Sequence, residues 1–355
     1  MIEDTMTPRE RWKSVLERRR PDRLPMDYWA TPEVTKSLMS HFGFSTLREL
    51  YERLNIDVPF KPKPTYIGPE IPENQDIYGC KYRDVIYGTG TYRECISHPF
   101  KRFNTVEEIE RNYSWPHTDL YDYSSISEQA AEWWDYPIEG GGSEPFLDYK
   151  NLRGQEQAFI DLFRHPEIVH YCLDKMFEFS YQNTRKIYRE IPGEVTYSYI
   201  AEDLGAQTGL LMNPGMIRFF LLPRMKRMMD LAHENGAYVF FHSDGAIKEI
   251  IPDMIETGID ILNPIQWRSS GMEREKLKHD FGDKVVFHGG VDNQHTLPFG
   301  SLEDVYKEVD ENFSKLGSGG GYILAPCHNI QPITPVKNII AMYERGFLRA
   351  SSQRE

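Results

Sequence analysis

Two hydrophobic periods alternate along this chain. Short runs rich in β-branched and aromatic residues read as strands: Leu24 to Trp29, Tyr136 to Glu139, Val195 to Ile200, Ala237 to His242, Ile259 to Asn263, Lys284 to His288 and Gly321 to Ala325. The last five recur at intervals of about 20 to 40 residues, most followed by a loop and a helical pattern. Helix starts are plainly marked. Thr7-Pro8-Arg9-Glu10 joins an N-cap, a proline at the first helical position and a capping-box acid. Thr105-Val106-Glu107-Glu108 and Ser301-Leu302-Glu303-Asp304 resemble it without the proline, and Asn213-Pro214 and Thr334-Pro335 are further starts. Met216 to His233 carries apolar residues at helical spacing and predicts a buried helix, which Pro223 should kink or break.

Strands alternating with helices imply βα units and a parallel sheet. With the two earlier runs the strand count comes close to eight. No G-x-G-x-x-G follows a strand and no G-x-x-x-x-G-K-[ST] phosphate loop occurs. The α/β class expected is therefore a (β/α)8 TIM barrel rather than a doubly wound nucleotide-binding sheet. Residues 55–134 fit the barrel poorly. They are rich in Pro, Tyr and Gly and hold a strand-like pair, Lys81 to Tyr87 and Thr91 to Ile96, around Gly88-Thr89-Gly90. A hairpin excursion in the N-terminal third, covering one end of the barrel, is the expectation. No low-complexity linker or internal repeat divides the chain, so residues 1–355 read as one domain.

Charge narrows the function classes. The 41 Lys and Arg against 54 Asp and Glu give a net charge of −13, and the densest basic runs, Arg18 to Arg20 and the pair Lys61 and Lys63, are short. Nucleic-acid binding, which needs clustered cations, is not expected. No apolar run approaches the roughly 20 residues of a membrane span. The opening residues carry acids where a signal peptide has a basic and then an apolar region. Four cysteines (80, 95, 172, 327) make no disulfide framework. A soluble cytoplasmic protein is expected.

In a parallel barrel the functional groups stand at the strand C-termini. Read in order, those ends carry Glu202-Asp203, then His242-Ser243-Asp244, Gln266-Trp267, His288-Gly289-Gly290-Val291-Asp292, and Cys327-His328. Metal-capable groups close four of five consecutive strands. His242, Asp244 and Cys327 offer a nitrogen, a carboxylate and a thiolate, all good zinc donors, and Glu202 offers a further oxygen. The alternative is structural: His242 bonded to a carbonyl in the core, Asp244 capping a helix, Cys327 a small buried hydrophobe. His288 could orient substrate or be fixed by bonds beneath the site, and Asp203 could be a base or a helix cap. Consecutive strand residues point oppositely, so at most one of Cys327 and His328 faces the site. Gly317 to Gly321 read as a turn at the far end of the barrel, and Trp133-Trp134 as packing.

Four segments resemble the uroporphyrinogen decarboxylase superfamily of (β/α)8 barrels: "EDLGAQTGLLMNP" (202–214), "FFHSDGAIKEIIPDMIETGIDILNPIQ" (240–266), "VVFHGGVDNQHTLP" (285–298) and "GGYILAPCHNIQPITPVKNIIAMYE" (320–344). "RPDRLPMDYW" near the N-terminus resembles the opening of family members. The decarboxylases of this superfamily carry an arginine-rich segment, roughly R-Q-A-G-R-Y, that binds the many carboxylates of a porphyrinogen. Here the equivalent stretch, "DYWATPEVTKSLMSHFG", has no arginine.

The resemblance therefore points to the second branch, methyltransferases that exchange a methyl group with the corrinoid (cobalamin) of a partner protein. Their zinc site is typically His-x-Cys with a distant Cys. This chain has His242-Ser243-Asp244 and Cys327, an oxygen donor replacing the middle sulfur. A harder site suits Lewis-acid activation of an ether, alcohol or amine rather than a thiol. The resemblance implies Zn2+ held by His242 and Cys327 with Asp244 or Glu202, binding the heteroatom of a small methylated substrate such as an aryl methyl ether. A Co(I) corrinoid then attacks the methyl carbon, as in O-demethylation, while Asp203 and His288 orient the substrate. No Asp-x-His-x-x-Gly corrinoid motif occurs in the chain, so the corrinoid is expected on a separate protein. Relatives are often homodimers. The alternatives are decarboxylation of a tetrapyrrole or other carboxylate, a non-catalytic barrel that binds a tetrapyrrole or corrinoid, and metal-dependent hydrolysis.

Overall fold

A computed structural model of the chain describes residues 4–88 and 90–352; Met1 to Glu3 of the acidic opening and Thr89 of the expected hairpin turn lie outside them. Six parallel strands form one sheet in sequence order: β1 (Glu139–Ser143), β2 (Tyr197–Ala201), β3 (Tyr238–His242), β4 (Ile261–Asn263), β5 (Val286–Val291) and β6 (Tyr322–Pro326). Helices separate them, including the 25-residue Pro166–Glu190 before β2. Every residue of β5 and β6 is buried, as expected of parallel strands covered on both faces.

Both edges of the sheet continue into short extended segments. Residues 24–30 run along β6, where Leu324 donates to the Pro25 carbonyl at 3.0 Å and Asp27 donates to the Leu324 carbonyl at 2.8 Å. Residues 57–60 meet the other edge, where Phe60 donates to the Pro137 carbonyl at 2.7 Å and Glu139 donates back to the Phe60 carbonyl at 2.8 Å. The Asp57 N–H to the Met26 carbonyl, at 2.6 Å, links these two segments to one another. The run Leu24 to Trp29 thus pairs by single bridges, Met26 with Leu324 and Ala30 with Ile330, and not as a regular strand. Pro25, with no N–H, cannot extend the ladder.

Two other expectations shift for local reasons. The ladder of β1 begins where the run Tyr136 to Glu139 ends, within "EGGGS". Glycine is required there, because a Cβ on Gly142 (φ +156°) would stand 1.5 Å from the Tyr199 carbonyl oxygen of β2. The helix expected over Met216 to His233 is interrupted as Pro223 requires: Ile217–Leu221 form a π-turn before the α-helix Leu222–Glu234.

The excursion is an antiparallel hairpin of Lys81–Tyr87 and Gly90–Ser97. It leans over the end where the strands terminate, since the Tyr87 hydroxyl bonds Gln331 in the loop after β6. Gly319, Gly320 and Gly321, all at positive φ, make the turn entering β6 at the opposite end. Trp133 packs face to face on Phe60 at 5.1 Å, whereas Trp134 is exposed. Among the described residues no helix is long and apolar enough to cross a membrane.

Candidate metal centre

Parallel register carries the last residues of all six strands to one end. His242 closes β3 and pairs in register with Ala201 of β2 and Asn263 of β4. Its side chain is nine-tenths buried, and a chain of side-chain hydrogen bonds sets its orientation. His242 Nδ1 lies 2.5 Å from Asn263 Oδ1, Asn263 Nδ2 lies 2.6 Å from His288 Nδ1, and His288 Nε2 lies 2.9 Å from Asp27 Oδ2. An amide oxygen only accepts and an amide nitrogen only donates, so the protons are placed along the whole chain. His242 carries its hydrogen on Nδ1, and His288 accepts at Nδ1 and donates from Nε2 to the Asp27 carboxylate. That carboxylate is fixed in turn by the Tyr28 N–H at 2.7 Å and the Trp29 indole N–H at 2.9 Å.

The consequence is a bare lone pair on His242 Nε2. It faces Asp203 Oδ1 at 3.7 Å and Asp244 Oδ1 at 3.9 Å, and one donor atom from each of these three residues lies within 4.8 Å of the others. Asp244 is itself held: Gln266 donates from Nε2 to its Oδ1 at 2.8 Å, while the Gln266 Oε1 accepts the Gly245 N–H at 2.8 Å. A backbone N–H of Asp244 reaches Asp203 Oδ1 at 3.4 Å.

The other residues singled out from the sequence stand apart from that trio. Glu202 turns inward, with Oε1 accepting the Phe146 N–H at 2.6 Å and Oε2 buried without a hydrogen-bond partner among the described residues. Burial, reinforced by Glu144, pushes its carboxyl well above the usual range. The Cys327 thiol donates to the Ile265 carbonyl at 3.2 Å. His288, fully buried, touches Asn263 and Asp27 and lies beneath the site. His328 faces the trio, its Nε2 being 3.9 Å from Asp244 Oδ2.

Sequence reasoning missed Glu144, Asn263 and Asp27. Glu144 follows β1, and burial together with Asp203 and Asp148 raises its carboxyl to about 7. Burial likewise raises Asp244, against the pull of His242 and His328. The mouth thus gathers carboxyl groups in a low-dielectric setting where they are relieved by a proton or a cation and disfavour a polyanion. Its walls are aromatic: Trp29 and Tyr199 lie 5.5 and 5.8 Å from the His242 ring, centroid to centroid. Beside Trp29 opens a cavity of about 780 Å3 lined by Tyr28, Thr35, Lys36, Met39 and Asn329, in which Lys36 is the cation. This is the arginine-free segment, so the guanidinium groups that polycarboxylate recognition calls for are missing from the wall it builds.

Known proteins share this fold and family. A methyltransferase from Methanosarcina mazei shares the fold, with a TM-score of 0.69 at 19% identity over 97% of this chain and 99% of that one. Uroporphyrinogen decarboxylase of Prochlorococcus marinus (strain MIT 9515) is 24% identical over 213 residues, 59% of this chain and 55% of its own length. Methylcobamide:CoM methyltransferase MtaA of Methanosarcina barkeri is 29% identical over 133 residues, 37% of this chain and 36% of its own. The chain thus spans about half the length, or less, of the curated relatives it matches. Residues 135–346 match the family described as "Uroporphyrinogen decarboxylase (URO-D)", and the chain belongs to that family.

Proposed function

We propose that this chain is a zinc-dependent methyltransferase, moving a methyl group between a small methylated substrate, such as an aryl methyl ether, and the corrinoid of a partner protein. The observation that carries this reading is the composition of the mouth: a buried imidazole lone pair and two carboxylates, with Glu144 behind them and no arginine in the adjoining segment. The architecture is read as a single (β/α)8 barrel domain, the six strands and the segments 24–30 and 57–60 supplying its eight staves. The setting is read as cytoplasmic.

The donor set fits a divalent metal. His242, Asp203 and Asp244 would hold it, since their donor atoms already converge and Asn263 keeps the His242 lone pair exposed. When bound, zinc supplies Lewis acidity that stabilises negative charge on a departing heteroatom. The rest falls to the chain itself. Trp29 and Tyr199 flank the imidazole with flat apolar faces and limit water around it. His288 and Asp27 act through Asn263 to hold the ring and its tautomer. Glu144, at the edge of the cluster, is the carboxyl placed to hold or release a proton.

The test is metal content by mass spectrometry, followed by incubation of the zinc-loaded protein with Co(I) cobalamin and methylated aryl ethers, alcohols and amines. About one zinc per chain and spectroscopic conversion to methyl-Co(III) are expected. Turnover of uroporphyrinogen to decarboxylated products, or a metal-loaded protein inert towards every donor class, would overturn the reading.

A further inference from the structure

The Asp244 carboxylate lies between two imidazoles. Its Oδ1 is 3.9 Å from His242 Nε2 and its Oδ2 is 3.9 Å from His328 Nε2. Gln266 holds Oδ1 by a 2.8 Å hydrogen bond and leaves Oδ2 facing His328. On the other side His242, nine-tenths buried, aims Nε2 into the same space without a hydrogen-bond partner of its own, because the Asn263 relay consumes only Nδ1.

Cys327 points elsewhere. Its N–H is bound to the Val291 carbonyl at 2.8 Å and its thiol to the Ile265 carbonyl at 3.2 Å, both on the backbone of neighbouring strand ends. Both residues follow the last position of β6, Pro326, and of the two it is His328 that is turned towards Asp244. The His328 side chain is 44% exposed and can close on Asp244 without repacking the core, whereas turning the buried Cys327 thiol would break its bond to the Ile265 carbonyl.

We propose that the fourth protein donor of the metal centre is His328 and not Cys327, giving a site of two imidazoles and two carboxylates, His242, Asp203, Asp244 and His328, with no sulfur. This rests on the metal-dependent reading above and sharpens its substrate class. A metal held by nitrogen and oxygen alone is harder and keeps more positive charge than one held by thiolate, so it favours an oxygen or nitrogen heteroatom over a thiol.

The experiment is X-ray absorption at the zinc edge, with the electronic spectrum of the Co(II)-loaded full chain, on the parent protein and on His328→Ala and Cys327→Ser. The zinc data should need only nitrogen and oxygen neighbours, and the Co(II) spectrum should lack the near-ultraviolet sulfur-to-metal band. His328→Ala should weaken metal binding by about tenfold or more, measured against a competing chelator, while Cys327→Ser stays within about twofold of the parent. A sulfur neighbour at about 2.3 Å, a sulfur band that vanishes in Cys327→Ser, or failure of the parent to bind either metal would overturn the assignment. Should either variant fail to fold, the parent spectra alone decide it. These readouts require no methyl donor. A sulfur-free site without methyl transfer would leave this assignment standing and remove the proposed activity, and a sulfur ligand in an active methyltransferase would do the reverse.

Discussion

Two buried charge clusters, one beneath the first extended segment and one at the strand termini, are built on opposite rules. In the first, every charge is matched. Arg11 pairs Asp22 at 2.8 Å and Asp57 at 2.5 Å, Arg23 pairs the other Asp57 oxygen at 2.7 Å, and the Met26 N–H adds a bond to Asp57 at 2.9 Å. Although burial works the other way, the Arg11 guanidinium and the Thr5 and Met6 N–H groups bring Asp22 down to about 2. In the second, Glu144, Asp203 and Asp244 gather around an imidazole without a guanidinium among them, and Glu144 rises to about 7. Burial is common to both; full pairing is not, since at the second cluster the carboxyls raise one another while Lys150, His242 and His328 pull the other way, and strongly shifted groups of this kind gather at functional sites.

The contrast can be broken most forcefully at Asp57. Asp57→Ala should cost about 3–5 kcal/mol by urea unfolding, because it removes the fully buried carboxylate shared by two buried guanidinium groups and leaves them only Asp22 and the half-buried Asp4. A loss below about 1 kcal/mol would show that the first cluster is not the structural one. At the second cluster the expected loss is in metal binding. Asn263→Leu should reduce zinc affinity by about 10- to 100-fold, and nitrogen NMR of His242 in the metal-free protein should show the fixed tautomer lost. An unchanged tautomer would mean the relay does not set the ring.

The smallest effect is the most discriminating, because the two clusters should titrate with opposite slopes. Asp22 has its folded pKa below the ordinary 3.8, so its contribution, on the order of 1–2 kcal/mol, is present above about pH 4 and lost as pH falls through 2. Glu144 in the metal-free protein binds a proton that the unfolded chain releases at about 4.5. Its contribution therefore falls as pH rises from about 4.5 to 7. Glu144→Gln should match the parent at pH 4 and exceed it by about 1–2 kcal/mol at pH 8, read as denaturation midpoints at each pH. A variant no more stable at pH 8 would place Glu144 in solvent or beside a cation.

The fold was legible wherever strands are β-branched and buried, and the placement of His242 and Asp244 at one strand end was legible for the same reason, whereas Asp203 was expected to orient substrate and Cys327 and Glu202 to complete the donor set. What escaped has physical reasons. Glu144 follows "EGGGS", a strand whose glycines are demanded by close approach to Val195, Thr184 and, at Gly142, Tyr199, and so carry no strand propensity. Asn263 was visible only as the end of an apolar run, although a polar residue closing a fully buried strand was itself a signal that it must bond something. Asp27 sits in the run Leu24 to Trp29, and nothing local ties it to His288, 261 positions away. The proton placement on His242 needed all three and was beyond any pattern of spacing.

That separation also sets an order of assembly. The relay that ends at His242 begins at Asp27, on a segment synthesised before any of the six strands, and that segment is bound along β6, the last of the six to be made. A nascent chain paused before Tyr322 already contains His242, Asp203, Asp244, Asn263 and His288, yet the strand that seats Asp27 does not exist. The imidazole acquires its fixed tautomer only when residues 24–30 and β6 meet, so an Nε2 kept free of its proton is a late property that partly made chains do not share.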